Sequence, residues 1–168
     1  MNEHATQTLT EVSGDLLNYF RRRVGDDHAA DLLAETLTTA WRRVALLPDD
    51  HEAARRWLFG IAHNVLLNDA RSRRRQHRLA DRLRSVLTSN AAAPADHGVD
   101  VRDAIARLDP ALAEIIRLVH WEGFNLAEAA DVVGRPASTV RNEYARAKGQ
   151  LRATLGEPHT QEAVRGHA

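Results

Sequence analysis

The chain contains no cysteine, one methionine and one lysine. Without thiols there is no disulfide framework and no thiolate metal site, and a reducing, cytoplasmic setting is expected. Strand signals are missing too. Alternating apolar and polar runs rich in Val, Ile and Thr do not occur, and helical spacing dominates. No apolar run approaches the ~18 residues of a membrane span, so no membrane insertion is expected. The N-terminal stretch MNEHATQTLTEVSGD lacks the basic flank and apolar core of a secretory signal. Catalytic constellations are absent as well. HEAAR (51–55) begins like a HExxH zinc motif but carries Arg55 where the second ligand belongs. The nine histidines show no ligand spacing with carboxylates, and there is no Gly-rich phosphate loop, GxSxG elbow or carboxylate pair. No enzymatic activity, no metal and no cofactor is therefore expected.

What is present is charge, arranged in blocks. The 168 residues sum to a formal net charge of zero. Residues 1–54 nevertheless carry net −5, residues 55–84 net +7, residues 96–133 net −5 and residues 134–152 net +4. A basic stripe is an electrostatic footprint for phosphate whatever the total charge. The acidic blocks point to a second, protein partner.

The most informative segment is NLAEAADVVGRPASTVRNEYARAK, residues 125–148. It reads as a helix, a tight turn and a second helix with a basic face. Ala130 is small enough for close helix approach, Gly134 permits the left-handed turn, and Val140 pins the second helix to the core. Asn125 and Glu128 form a capping box with Asn in place of Ser or Thr, and Pro136 marks the start of the last helix. Val140, Tyr144, Ala147 and Leu151 form its inward stripe, while Arg141, Asn142, Ala145, Arg146 and Lys148 point away from it. Such a unit presents a helix to the major groove of DNA.

Upstream, periodicity gives a short helix over Leu16, Leu17 and Phe20 that closes near Gly25. Asp26 or Asp27 caps a second helix, whose apolar face runs through Ala30, Leu33, Leu37, Ala40, Trp41 and Val44. After the break at Pro48, a third helix runs from about Ala53 past Arg71 and buries Leu58, Ile61, Ala62 and Val65. Its other side carries Asn64, Asn68, Arg71 and Arg75 at spacings of four, three and four, with Trp57 and His63 near it. Asn meets base edges, Arg holds phosphate, and an aromatic ring stacks on unpaired bases. The stretch LTSNAAAPADHGVD reads as a linker. Two short helices follow, through Val101, Ile105 and Leu108 and through Leu112, Ile115, Ile116 and Val119. The expected architecture is all-α: a helical unit over 9–84, a flexible linker over 85–100, a second unit over 101–155 and a disordered tail over 156–168.

AADLLAETLTTAW (29–41) followed by RRWLFGIAHNVLLNDARSRRR (55–75) resembles the second conserved region of sigma-70-type initiation factors. LDPALAEIIRLVHWEGFNLAEAADVVGRPASTVRNEYARAKGQLR (108–152) resembles their fourth region. In order and spacing the chain resembles a small extracytoplasmic-function (ECF, group 4) sigma factor. The resemblance implies a promoter-specificity subunit that binds core RNA polymerase and promoter DNA and is restrained by an anti-sigma factor. It assigns Asp31, Leu32, Glu35, Leu37 and Trp41 to polymerase binding. It assigns Trp57, Asn64, Asn68, Arg71, Arg73, Arg74 and Arg75 to the −10 element, with the loop around Leu47–Ala53 helping to form a base pocket. Arg141, Asn142, Ala145 and Arg146 fall at groove-facing −35 positions, and Arg135, Ser138, Thr139, Lys148 and Arg152 at phosphate positions. Ala34, Ser138 and Glu143 depart from the family pattern. A carboxylate at Glu143 either accepts from cytosine N4 or repels phosphate, and the sequence leaves both open. The alternative function is a free-standing regulator that uses only the C-terminal unit on duplex operator DNA.

Overall fold

The structure is a computed structural model that describes residues 3–84 and 101–156. The expected linker (85–100), and the expected tail apart from Gly156, lie outside the described residues. Among the described residues there are seven α-helices, one 3₁₀ turn at Val44–Leu46 and no strand.

Helix α1 (Glu3–Val24) is longer than the sequence pattern implied, because Ala5, Thr8, Val12, Leu16, Tyr19 and Phe20 continue one buried row to its N-terminus. It stops at Gly25, whose φ of 82° lies in the left-handed region. Helix α2 (Asp26–Arg42) starts immediately after it. The cap position is Gly25 rather than an aspartate, so Asp26 and Asp27 sit in the first turn, where their charge meets the helix dipole. The row of α2 that faces the core is Ala29, Leu32, Thr36 and Ala40. This corrects the expected stripe by one position. Leu33, Leu37 and Val44 are half-buried, whereas Ala30 and Trp41 are exposed. Two apolar rows compete on this helix, and the one with the smaller side chains permits the closer approach to α1.

Helix α3 (His51–Arg84) is capped by Asp50, whose Oδ2 accepts from the Ala53 N–H at 2.8 Å. At 34 residues it is about 50 Å long. Its first four turns bury Leu58, Phe59, Ile61, Ala62 and Val65, and its last turns carry the arginine run.

The C-terminal half comprises α4 (Val101–Ala106), α5 (Pro110–His120), α6 (Leu126–Val133) and α7 (Ala137–Leu155). The capping box of α6 forms as expected, with both bonds at 2.9 Å. Gly134 ends α6 at φ 67° and makes the turn into α7. Ile105, Leu108, Leu112, Ala113, Ile116 and Ala147 form a small core within this half.

The two halves also share a core. Tyr19, Leu58 and Phe59 from the first pack in one cluster with Ile115, Leu118, Phe124, Ala129 and Val140 from the second. Helix α6 lies across α3 at Gly60, where a Cβ would stand 3.8 Å from the Val132 carbonyl oxygen.

Candidate nucleic-acid interface

On α3, Asn64, Asn68, Arg71, Arg74 and Arg75 are exposed along one side, as their spacing requires. Asn68, Arg71, Arg74, Arg75 and Arg78 line a shallow pocket of about 520 Å³. Trp57 is half-buried and packs against the main core. Arg73 is held in place by neighbours that sequence reasoning missed. Its Nε pairs with Asp69 Oδ2 at 3.1 Å, and Asp69 Oδ1 is bonded by His28 Nε2 from α2 at 2.9 Å. The i,i+4 spacing of Asp69 and Arg73 was visible in the sequence, but His28, 41 residues upstream, was not. His63 lies on the opposite, buried side of α3 and is only 8% exposed. It faces the second half of the molecule and not the Asn/Arg surface.

The exposed face of α7 carries Ser138, Arg141, Asn142, Ala145 and Arg146. Thr139 and Lys148 are half-buried, and the Lys148 ammonium sits 5.4 Å from the Tyr144 ring centroid. Glu143 does not stand free. Its Oε1 accepts from Arg135 Nη1 at 2.7 Å, and its Oε2 is buried without a hydrogen-bond partner among the described residues. Both readings of Glu143 from the sequence treated it as a group facing DNA. The structure instead ties it to the turn arginine.

A third surface is apolar. Leu9, Thr10, Leu37 and Trp41 line a groove of about 460 Å³ between α1 and α2. Trp41 is 49% exposed, and Asp31 and Glu35 are exposed on the same helix without lining the groove. Leu32, grouped with them from sequence, is in the core at 2% exposure. A second apolar groove of about 550 Å³ runs between α4, α5 and α7 past Ile105, Ile116, Trp121, Leu151 and Leu155. It was not foreseen, because its walls come from three separate helices.

Between the halves lies a buried ionic hub. Arg23 Nε and Nη2 bond the two oxygens of Glu114 at 2.9 and 3.1 Å, and its Nη1 bonds Glu122 Oε1 at 2.9 Å. The Tyr19 hydroxyl donates to Glu114 Oε1 at 3.0 Å. Burial alone would raise the Glu114 carboxyl, but the Arg23 guanidinium bonded to both of its oxygens outweighs it, and the group is held down to about 2. Arg55 spans the same seam. It lies 4.8 Å from the Phe59 ring centroid and 4.4 Å from that of Phe124, and it donates to the Glu122 carbonyl at 2.8 Å. At the far edge Arg56 pairs with Glu128 and Asp131 of α6 at 3.3 and 3.8 Å.

The arrangement offers two exposed polar and basic helix faces and two apolar grooves. Among the described residues, no group of three or more His, Cys, Asp or Glu could hold a metal ion, and no helix is long and apolar enough to cross a membrane. Residues 9–76 match the family model described as Sigma-70 region 2, and residues 99–151 match Sigma-70, region 4. The chain is 29% identical over 158 residues to the ECF RNA polymerase sigma factor SigL of Mycobacterium tuberculosis, covering 88% of this chain and 86% of that protein. It is 30% identical over 166 residues to the RNA polymerase sigma factor NccH of Alcaligenes xylosoxydans xylosoxydans, covering 92% and 88%. Among solved structures it is similar to the sigma factor RpoE from Bartonella quintana, in complex with the anti-sigma factor NepR. The TM-score is 0.68 at 27% identity, covering 90% of this chain and 96% of that one.

Proposed function

The chain belongs to the sigma-70 family as an ECF RNA polymerase sigma factor, and we propose that its two exposed helix faces divide promoter recognition between them. The α3 face, with Asn64, Asn68, Arg71, Arg73, Arg74 and Arg75, receives the unpaired −10 bases and their phosphates. The α7 face reads the −35 duplex through Arg141, Asn142, Ala145 and Arg146. Ser138, Thr139 and Lys148 sit near the backbone with Arg135, which Glu143 orients. The α1/α2 groove around Leu37 and Trp41, with Asp31 and Glu35 exposed on the same helix, docks core polymerase. Leu32 supports that groove from inside and is not part of its surface. The protein works in the cytoplasm, performs no bond chemistry of its own and acts by directing polymerase. By analogy with RpoE and NepR, an anti-sigma factor masks the same groove.

The observation that carries this reading is the presence, in family order, of two separate basic helix faces on one chain. A stand-alone regulator would need only the second. Arg146→Ala is expected to weaken binding to a −35 duplex by about tenfold, as loss of one base contact does, while leaving affinity for core polymerase unchanged. Equal loss of both would overturn the assignment. Reconstituted transcription with core polymerase is the accompanying test: initiation at a promoter of its own genome is expected, and binding of a duplex operator without any initiation would favour the regulator.

A further inference from the structure

Arg73, Arg74 and Arg71 of α3, Arg117 of α5 and Arg135 of the turn all border one cleft between the halves, about 860 Å³ in volume. Its carboxylates are already engaged. Asp69 holds His28 and Arg73, Glu114 holds Arg23 and Tyr19, and Asp109 caps the Ala111 N–H. Two of its lining side chains each carry a nitrogen without a hydrogen-bond partner. Arg117 Nε and His63 Nδ1 are buried, and among the described residues neither has a hydrogen-bond partner. The nearest carboxylate oxygen to His63 Nδ1, on Glu114, is 3.8 Å away, too far to bond. Six arginines line the cleft, Arg23, Arg71, Arg73, Arg74, Arg117 and Arg135, against the three carboxylates of Asp69, Asp109 and Glu114, so its lining is net positive.

We propose that this cleft binds a small phosphoanion carrying several phosphates in a chain, and that its occupant fastens the two halves together. A phosphate chain supplies the many acceptor oxygens that forked guanidinium donors match in pairs, and the volume falls within the range of small-ligand sites. Arg71 and Arg74 also lie on the exposed face of α3, whereas Arg117 borders the cleft from α5. Because both halves contribute walls, the ligand binds the closed arrangement and shifts the population toward it. Nucleoside triphosphates and inorganic polyphosphate share this chemistry.

The test is calorimetric titration of the full chain with tripolyphosphate, adenosine triphosphate and, at matched ionic strength, sulfate. Tripolyphosphate is expected to bind at least tenfold more tightly than sulfate. A further gain with the nucleotide would identify a base-recognising site, and equal affinity a polyphosphate site. Arg117→Gln and the rim variant Arg74→Gln are expected to weaken tripolyphosphate at least tenfold and about threefold. Arg78→Gln, in the same basic run but outside the cleft, should change it less than twofold. Equal losses in all three, or tripolyphosphate no tighter than sulfate, would reduce the effect to general charge attraction and overturn the proposal. A promoter duplex that loses as much affinity on Arg117→Gln as tripolyphosphate does would make the cleft part of the DNA interface and also overturn it.

Discussion

At the scale of single residues, Glu143 shows how a neighbour decides a role. The side chains of Glu143 and Arg135 are 24% and 32% exposed, and their bond is charge-assisted at 2.7 Å. Such a bond at a partly screened site is worth roughly 1 kcal/mol. Glu143→Gln is therefore expected to lower the stability of the C-terminal half by about that amount, read as a fall in thermal midpoint. It should leave the base preference at every −35 position unchanged in a panel of substituted duplexes. A cytosine preference that relaxes in the variant would mean the carboxylate reads a base after all. The spacing of eight residues between Arg135 and Glu143 gives no periodic signal of pairing, since one lies in the turn and the other two turns into α7. That is why the sequence left Glu143 open.

At the scale of elements, helix identity was legible and helix facing was less so. The start at Asn125 and the stop at Gly134 follow from local capping chemistry, and they sit where the sequence put them. The buried row of α2 was displaced by one position, because two apolar rows are adjacent and only the packing partner chooses between them. Two glycines bring out the difference between local and tertiary demands. Gly134 has φ 67°, so Gly134→Ala forces a side chain into left-handed backbone and is expected to cost about 1–2 kcal/mol. Gly60 is helical, and an added Cβ would meet the Val132 carbonyl at an ordinary 3.8 Å. Gly60→Ala is thus expected to stabilise the chain by about 0.5–1 kcal/mol through helix propensity alone. Denaturant unfolding of the two variants checks both signs. If Gly60→Ala destabilises instead, α6 lies closer to α3 than 3.8 Å implies.

At the scale of the whole molecule, the sequence implied two units on a flexible tether and gave no sign that they share a core. The hub residues Arg23, Glu114 and Glu122 look like ordinary surface charges in a linear reading, because their partners lie 91 and 99 residues away. The closed form has a functional consequence. Promoter elements about 25 base pairs apart are separated by roughly 85 Å at 3.4 Å per pair, whereas the longest element of the closed form, α3, spans about 50 Å. The promoter-bound form is therefore expected to be open, with the hub parted. Glu114 is held well below its ordinary value, so its contribution is present in full above about pH 4.5 and is lost as pH falls toward 2. Glu114→Ala, which removes two of the three carboxylate bonds to the buried Arg23 and leaves it only Glu122, is expected to open the molecule at neutral pH. Small-angle scattering should then show a larger radius of gyration, and the wild-type chain should expand similarly only below about pH 4. An unchanged radius in the variant would show that the apolar seam alone keeps the halves together.

That seam includes an unbroken run of edge-to-face rings, Phe20 to Tyr19 to Phe59 to Phe124, with centroid separations of 5.2, 5.4 and 5.1 Å. Three of these rings come from the first half and the last from the second. The halves are therefore coupled through the edge-to-face contact of Phe59 with Phe124 as well as through the hub. A chimera that imports a foreign C-terminal half keeps its reading surfaces and loses the partner for Phe59.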